Sequence, residues 1–430
     1  MIASVFIVFV VSLALGIPIA VSLGFTVLSA AFFVPSLPAD SVYAFRSMVT
    51  ALDSYSLLAI PLFILSGNIM AKGGISRKLF DFFSYFIGNR TAGLPIAAII
   101  TCLFYGAISG SGPATVAAVG SMTIPLLVEL GYDKKFSVAM IAVAGGLGVI
   151  IPPSIPFIVY GQSSGASVGD LFIAGVLPGM LIALCMIVYA YFYCKFKGED
   201  KEKLLANTQQ LRSRGFMVML KDSFWSLLTP VIILGGIYSG IVTPTEAANI
   251  SVVYALIISL FIYKSLKFKD LSTVMKETVN TAAPILLVVS IATVFGKVLT
   301  FMQAPQLISA AITGTFTTKV SVLLVINVIL LFVGMVMDTT PAILILTPIF
   351  MPIIQAIGVN PLHFGIIMVV NLAIGFVTPP IGINLFVASS LTGISVMDIA
   401  KRAIPFIIAF FIALLFITFV PEISLMLIGK

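Results

Sequence analysis

The chain of 430 residues contains few charged residues: Asp, Glu, Lys and Arg make up 9% of it, whereas hydrophobic residues make up 60%. Its mean hydropathy is +1.20. Soluble domains carry about 25% charged residues, so the composition excludes that class. Apolar runs of roughly 20 residues, enough to cross the bilayer as a helix, recur along the sequence. We therefore expect an all-α polytopic membrane protein rather than a barrel of alternating strands.

Reactive side chains are also scarce, with three cysteines and one histidine in the whole chain. Cys102, Cys185 and Cys194 stand in apolar stretches and lack the spacing of a disulfide framework or a zinc site. The sequence therefore indicates buried thiols, with no bound cofactor and no redox chemistry.

The net charge of +7 comes from basic residues that lie between the apolar runs. Nineteen of the 23 Lys and Arg residues fall in five stretches: 72–90, 134–135, 195–221, 264–276 and 401–402. Cytoplasmic connectors are enriched in Lys and Arg, so we assign these stretches to the cytoplasm and the intervening connectors to the opposite side. This pattern explains the positive charge without nucleic acid as a partner.

Two apolar regions are interrupted by the same kind of break, at Gly148–Ser154 and Gly375–Ile381, and each break contains a Pro-Pro pair. Neither proline donates a backbone hydrogen bond, so a helix cannot continue through the pair. Inside a bilayer, unwound backbone persists only where protein or a wet cavity satisfies it. Paired broken helices in two halves point to the binding site of a secondary transporter.

Each break is preceded by an apolar region with a turn near its middle. The region 93–130 has basic residues on both flanks and turns near Ser109–Pro113, which predicts a re-entrant hairpin from the cytoplasm. The region 318–356 turns at Met337–Pro341 and lacks a basic cluster on either flank. We expect this second hairpin to enter from the opposite side.

The order of these features predicts two repeats of inverted topology, 1–196 and 224–430, joined by a cytoplasmic linker, 197–223. Residues 125–163 and 352–390 align without a gap. Each repeat is predicted to hold five spans, one hairpin and one broken helix. The predicted segments are 1–15, 18–34, 50–70, hairpin 93–130, broken helix 136–163, 176–196, 224–240, 247–263, 280–300, hairpin 318–356, broken helix 363–391 and 403–428.

Oxygen atoms collect at the tips and breaks, where they suit an alkali cation and where half-helix ends add favourable dipoles. The residues predicted to bind sodium or substrate are Ser109, Gly110, Ser111, Gly112, Gly148, Pro152, Ser154, Asp338, Thr339, Thr340, Gly375, Thr378 and Pro379. The predicted sodium ligands among them are Ser109, Ser111, Gly148, Asp338, Thr339 and Thr378.

Asp338 is the most informative of these residues, because a carboxylate at that depth costs at least about 2.5 kcal/mol unless it is paired or binds an ion. It is also placed to cap the helix that follows it. Both roles are compatible.

An intramembrane hydrolase is the competing interpretation, because residues 106–112 resemble a turn with a nucleophilic serine. Such a serine needs a base within hydrogen-bond reach. His363 lies in the other half, where we expect it at the interface, and a Ser-Lys pair would require Lys297. We therefore favour a transporter, which is not an enzyme.

Five motifs resemble the large membrane subunit (M subunit) of tripartite ATP-independent periplasmic (TRAP) transporters. They are Leu58–Asn68 (LAIPLFILSGN), Gly106–Val116 (GAISGSGPATV), Ile150–Ser154 (IIPPS), Thr243–Ala248 (TPTEAA) and Val377–Asn384 (VTPPIGIN). The resemblance extends over essentially the whole chain.

This resemblance implies an elevator-type transporter in the bacterial inner membrane that uses a sodium gradient to take up an organic acid. The acid, a C4-dicarboxylate, sialic acid or similar carboxylate, would come from a periplasmic substrate-binding protein. The hairpins and broken helices would form the moving transport domain and the other spans a scaffold. A small four-helix membrane subunit would be a separate chain. The alternative is a stand-alone sodium-coupled carboxylate carrier of the wider ion-transporter group.

Overall fold

A computed structural model describes residues 2–33 and 41–429, and every regular element in these ranges is a helix. The helices up to the linker are α1 (Ile2–Ala14), α2 (Ile19–Phe33), α3 (Ser41–Leu52), α4 (Ala59–Lys72), α5 (Ile75–Ile87), α6 (Gly93–Ser109), α7 (Gly112–Glu129), α8 (Lys134–Ala144), α9 (Ile155–Ser164), α10 (Val168–Lys197) and α11 (Lys201–Ser213). The later helices are α12 (Phe216–Tyr238), α13 (Pro244–Ile257), α14 (Leu271–Phe301), α15 (Ala304–Thr315), α16 (Lys319–Val336), α17 (Thr339–Ala356), α18 (Pro361–Gly375), α19 (Ile383–Thr392), α20 (Val396–Phe419) and α21 (Glu422–Leu425).

Within the described ranges, nine helical segments are long and apolar enough to cross a membrane. Six shorter apolar helices accompany them, including α6, α18 and α19. Large apolar side chains such as Phe196 and Phe332 remain exposed on the outer surface of the bundle. This is the surface of a multi-pass membrane protein, in which lipid replaces water around the apolar exterior.

Several predicted spans have different ends in the structure. The spans predicted to begin at 176, 224 and 280 begin earlier, as α10, α12 and α14. The span predicted at 50–70 starts later, because α3 ends at Leu52 and a 3₁₀ turn from Tyr55 leads into α4. The span predicted at 403–428 starts and ends earlier, as α20. Hydropathy alone does not register such turns when the flanking residues are also apolar.

The linker is also more regular than predicted, since 197–223 contains α11 and the first turns of α12. Asp200 caps α11 by accepting a hydrogen bond from the Lys203 amide at 3.2 Å. Leu204 and Thr208 are buried, and the linker helix packs against α5. Capping and one buried face make a helix of a polar segment that hydropathy assigns to a loop.

Both hairpins turn within two residues. Gly110 ends α6 in the left-handed conformation with φ of 61°, and Ser111 caps α7. The second turn is formed by Met337 and Asp338, and Asp338 caps α17. The capping side chain therefore occupies the same place in both turns.

Each predicted break interrupts a helix, as the Pro-Pro pairs require. After α8 a 3₁₀ segment covers Gly145–Val149, and helix resumes at Ile155. The second break runs from the end of α18 to Ile383. Both Pro-Pro bonds are cis.

Helices α10 and α20 pack closely on these broken helices. A Cβ added at Gly179 of α10 would come within 2.2 Å of the Ile151 side chain, and one at Gly175 within 2.7 Å of the Ile150 carbonyl oxygen. On the other side, a Cβ at Gly146 would lie 3.2 Å from the Phe410 ring of α20. The two glycines of α10 thus let its backbone lie directly against the first break.

Candidate functional site

The tip of the first hairpin is a compact group of hydroxyl and carbonyl oxygens. The Ser109 hydroxyl lies 3.0 Å from Thr115 Oγ1 and 3.3 Å from the Ser111 carbonyl oxygen. Thr115 Oγ1 donates to the same carbonyl at 2.8 Å. Thr115, which the sequence analysis did not select, is therefore part of the tip. Its position one turn beyond Ser111 was the available signal.

The first break lies directly against this tip. A Cβ at Gly148 would come within 2.4 Å of Thr115 Oγ1 and 2.6 Å of the Ser111 carbonyl oxygen. A Cβ at Gly110 would come within 2.8 Å of the Pro153 carbonyl oxygen. The structure thus brings together the predicted residues of the first hairpin and the first break.

Ser154 closes the first break. Its hydroxyl donates to the Val149 carbonyl oxygen and accepts a hydrogen bond from the Phe157 amide at 3.3 Å. The side chain is completely buried. Ser154 therefore caps α9 and holds the unwound segment that contains Pro152.

Asn384 extends this site across the two halves of the chain and was missing from the predicted residues. Its amide nitrogen donates to the Ala142 carbonyl oxygen at 3.0 Å. Its Oδ1 is buried and, among the described residues, has no hydrogen-bond partner. A Cβ at Gly112 would lie 3.2 Å from this oxygen and 3.3 Å from the Gly145 carbonyl oxygen. The available signal was an amide just after the second break, within the quoted motif.

The second hairpin presents the carboxylate of Asp338 at its tip. Asp338 Oδ1 accepts hydrogen bonds from the Thr339 amide at 2.6 Å and from the Thr339 hydroxyl at 3.3 Å. Asp338 is half-buried, whereas Thr339 and Thr340 are buried. The capping role is confirmed, and all these hydrogen bonds use one of the two carboxylate oxygens.

The second break packs on the second hairpin, just as the first break packs on the first hairpin. A Cβ at Gly375 would come within 2.2 Å of the Gly334 carbonyl oxygen. The Ile381 amide donates to the Met335 carbonyl oxygen at 3.2 Å. Thr378, just before Pro379, donates its hydroxyl to the Ile374 carbonyl oxygen at 2.8 Å.

The oxygen atoms around Gly112 fit an alkali cation better than a transition metal. Asn384 Oδ1 and nearby carbonyl oxygens are hard, uncharged ligands of the kind that alkali and alkaline-earth cations accept. The described residues contain no cluster of three or more His, Cys, Asp or Glu side chains. A buried amide oxygen without a donor is costly unless a ligand satisfies it.

A carboxylate on the linker holds both ends of the first hairpin. Glu199 accepts hydrogen bonds from the Ala92 amide, at 3.0 and 3.1 Å to its two oxygens. It also accepts the Tyr132 hydroxyl at 2.6 Å. Burial, followed by the hydrogen bond to Glu199, raises the pKa of Tyr132. The base of the hairpin is thus tied to the end of α10.

The bases considered for a hydrolase are engaged elsewhere. The Lys297 ammonium lies 3.4 Å from Ser47 Oγ. The ring nitrogens of His363 lie 3.2 Å from Ser424 Oγ and 3.3 Å from the Thr418 carbonyl oxygen. His363 is 2% exposed and is buried among protein groups at the start of α18. Ser109 pairs with Thr115 rather than with a base.

Known proteins are similar to this sequence along nearly its whole length. The family described as "Tripartite ATP-independent periplasmic transporter, DctM component" matches residues 6–423. The chain belongs to this family. The permease is 42% identical to the C4-dicarboxylate TRAP transporter large permease protein DctM of Pseudomonas aeruginosa over 87% of the permease and 86% of that protein. It is 35% identical to the sialic acid TRAP transporter large permease protein SiaM of Vibrio cholerae, over 96% of the permease and 95% of SiaM.

A longer relative is the isethionate TRAP transporter permease protein DctMQ of Oleidesulfovibrio alaskensis, which is 45% identical over 98% of the permease. The permease spans 65% of that relative's length. These relatives are named as transport proteins, which agrees with the prediction of a transporter.

Solved structures share the fold at low identity. The YdaH transporter of Alcanivorax borkumensis superposes with a TM-score of 0.60 at 16% identity, covering 88% of the permease and 89% of that chain. MtrF of Neisseria gonorrhoeae superposes with a TM-score of 0.60 at 13% identity, covering 95% of the permease and 93% of MtrF. These likenesses show that the chain has the same fold as these two proteins.

Proposed function

We propose that the permease is the membrane subunit of a secondary transporter that couples sodium entry to uptake of a small organic acid across the bacterial inner membrane. The observation that carries this proposal is the meeting of the first hairpin tip with both breaks around the unsatisfied oxygen of Asn384. The substrate is a C4-dicarboxylate, sialic acid or similar carboxylate. The name of the 45% identical relative adds a small sulfonate to this class.

Sodium is proposed to bind through oxygen atoms at the hairpin tips and breaks. At the first site, Asn384 Oδ1 and the carbonyl oxygens of Gly112 and Gly145 supplement Ser109, Ser111 and Gly148. At the second, Asp338, Thr339 and Thr378 supply oxygen atoms. A bound sodium would supply positive charge beside the N-termini of α7 and α17, where a substrate anion is favoured.

The two halves are proposed to be inverted repeats that work as an elevator. The matching places of Ser111 and Asp338 in the two turns, and the Pro-Pro pair in each break, support the duplication. The close packing of α10 and α20 on the broken helices leads us to include both in the moving unit. The scaffold then contains α14 and the remaining long helices. Alternating access requires that sodium and substrate bind the two states with different affinities.

Two partners complete the proposed system. The permease would receive its substrate from a periplasmic binding protein and would work with a small four-helix membrane subunit. The greater length of the DctMQ relative supports the need for an additional membrane portion.

Uptake into proteoliposomes tests sodium coupling directly. Vesicles containing the permease and its small subunit are given labelled succinate, isethionate or sialic acid together with the binding protein. We expect uptake with an inward sodium gradient and little uptake with a matched potassium gradient. Equal uptake with both cations would rule out sodium coupling.

A further inference from the structure

A cavity of about 360 Å³ separates α14 from the second hairpin, away from the tips and breaks. Its lining includes Thr293 and Lys297 of α14, Leu344 and Pro348 of α17, and Gln162 at the end of α9. This volume lies within the usual range of small-molecule sites, about 300–1,000 Å³. Lys297 lies one turn before the end of α14 that the charge pattern places outside. The cavity is therefore on the side from which substrate arrives.

Among the described residues that line this cavity, Lys297 alone carries a charged side chain. Its ammonium contacts Ser47 Oγ at 3.4 Å and lies 5.9 Å from the centre of the Tyr43 ring. Among the described carboxylates, none forms an ion pair with it. Neither of these two contacts carries a negative charge, so an anion in the cavity can pair with the ammonium.

Other polar groups in the cavity suit the rest of an organic acid. Ser54 donates to Gln162 Oε1 at 2.9 Å, so the amide nitrogen of Gln162 provides hydrogen-bond donors. In a helix the Leu344 carbonyl oxygen would accept a hydrogen bond from the N–H of residue 348. Pro348 has no N–H, so this helical hydrogen bond is missing. This oxygen can accept a substrate hydroxyl.

We propose that this cavity is an outer subsite for the transported acid, in which Lys297 binds its carboxylate or sulfonate. The inference rests on the proposed transport function and adds a binding residue outside the tips and breaks. The subsite lies between α14, assigned to the scaffold, and α17 of the second hairpin, assigned to the moving unit. A bound anion would therefore touch both units before the moving unit carries it inward.

The test compares Lys297→Gln, Lys297→Arg and Ser47→Ala in proteoliposomes containing the small subunit and the binding protein. The acid used is whichever of succinate, isethionate and sialic acid the wild type transports. Losing a charge-assisted hydrogen bond should raise the apparent KM of Lys297→Gln roughly 10-fold or more. The sodium concentration for half-maximal rate should stay within about twofold, since Lys297 does not line the proposed sodium sites.

The other two variants separate charge from structure. Lys297→Arg keeps the charge and should stay within about threefold of the wild-type KM. Ser47→Ala removes the hydroxyl that contacts Lys297 but keeps the cation, so its KM should be nearly unchanged. If Lys297→Gln keeps the wild-type KM, or if Ser47→Ala matches its defect, the subsite is refuted. Absence of sodium-dependent wild-type uptake would instead refute the proposed function.

A lipid phosphate is another anion that a lysine near the outer surface would attract. The assay is therefore repeated in phosphatidylcholine vesicles with and without phosphatidylglycerol. A KM difference between wild type and Lys297→Gln in both lipid mixtures supports a substrate site. A difference that appears only with phosphatidylglycerol would assign Lys297 to lipid and overturn the proposal.

Discussion

Replacing Gly375 with alanine probes a very short contact between the backbone of a hairpin and that of a break. The new Cβ would lie 2.2 Å from the carbonyl oxygen, 2.3 Å from the carbonyl carbon and 2.6 Å from the Cα of Gly334. Real Cβ contacts essentially never fall below 3.0 Å. All three atoms are backbone, so no side-chain rotation relieves the overlap. The second break and α16 must separate by about 0.8 Å, judged from the shortest of these contacts.

Overpacking of this kind costs about 1–3 kcal/mol. We expect the Tm of the purified permease, measured in nanodiscs, to fall by roughly 2–6 °C, since each kcal/mol is worth about 2–4 °C in a domain of 150–250 residues and less in a longer chain. Sodium-dependent uptake should fall as well, because the displaced segment carries Thr378 and the backbone that leads to Asn384.

Gly235→Ala is the matched control for this substitution. Gly235 lies inside α12, and apart from its own stretch of helix no described residue has an atom within 4 Å of a Cβ added there. Alanine is favoured over glycine in a helix interior by roughly 0.5–1 kcal/mol, so this variant should be at least as stable as the wild type. A Tm of Gly375→Ala within 1 °C of Gly235→Ala, which is about the precision of such a measurement and below the shift expected for overpacking, would refute the contact.

Substitutions at three further residues test the site and the base of the hairpin. Asn384→Leu removes the unsatisfied oxygen, so the sodium concentration for half-maximal uptake should rise about 10-fold or more; Asn384→Asp, which keeps an oxygen, should retain sodium dependence. Asp338→Ala should weaken sodium dependence more than assembly with the small subunit, and unchanged sodium dependence would remove Asp338 from the site. Glu199→Gln weakens the bonds from the Ala92 amide and the Tyr132 hydroxyl, at a cost of about 1.5–3 kcal/mol seen as a lower Tm. Because folding raises the pKa of Tyr132, the neutral phenol stabilises the wild type below the unfolded pKa of about 10 and this stability is lost as pH rises above it. A Tm of Glu199→Gln equal to the wild-type Tm at neutral pH would contradict this role of Glu199.

Local sequence chemistry predicted the features that proline and glycine impose. A Pro-Pro pair cannot continue a helix wherever it is placed, so both breaks follow from Pro152 and Pro379 without knowledge of the fold. The turn at Gly110 is equally local, because a positive φ suits glycine. The capping role of Asp338 follows from the Thr-Thr-Pro sequence after it.

Contacts between segments that are far apart in the sequence could not be predicted from local sequence chemistry. Asn384 meets Gly112 across more than 270 residues, and no pattern in either segment specifies that approach. Helix α11 depends on burial of Leu204 and Thr208 against α5. The His363 environment depends on residues 418 and 424, which follow it by more than 50 positions. Tertiary packing, rather than local propensity, decides these features.

The most direct test of the account is uptake by the permease and its small subunit in proteoliposomes, with sodium and the binding protein omitted one at a time. The account predicts that uptake requires both, because sodium completes the oxygen sites and the binding protein delivers the acid. Full uptake without the binding protein would contradict a tripartite transporter and favour the stand-alone carboxylate carrier.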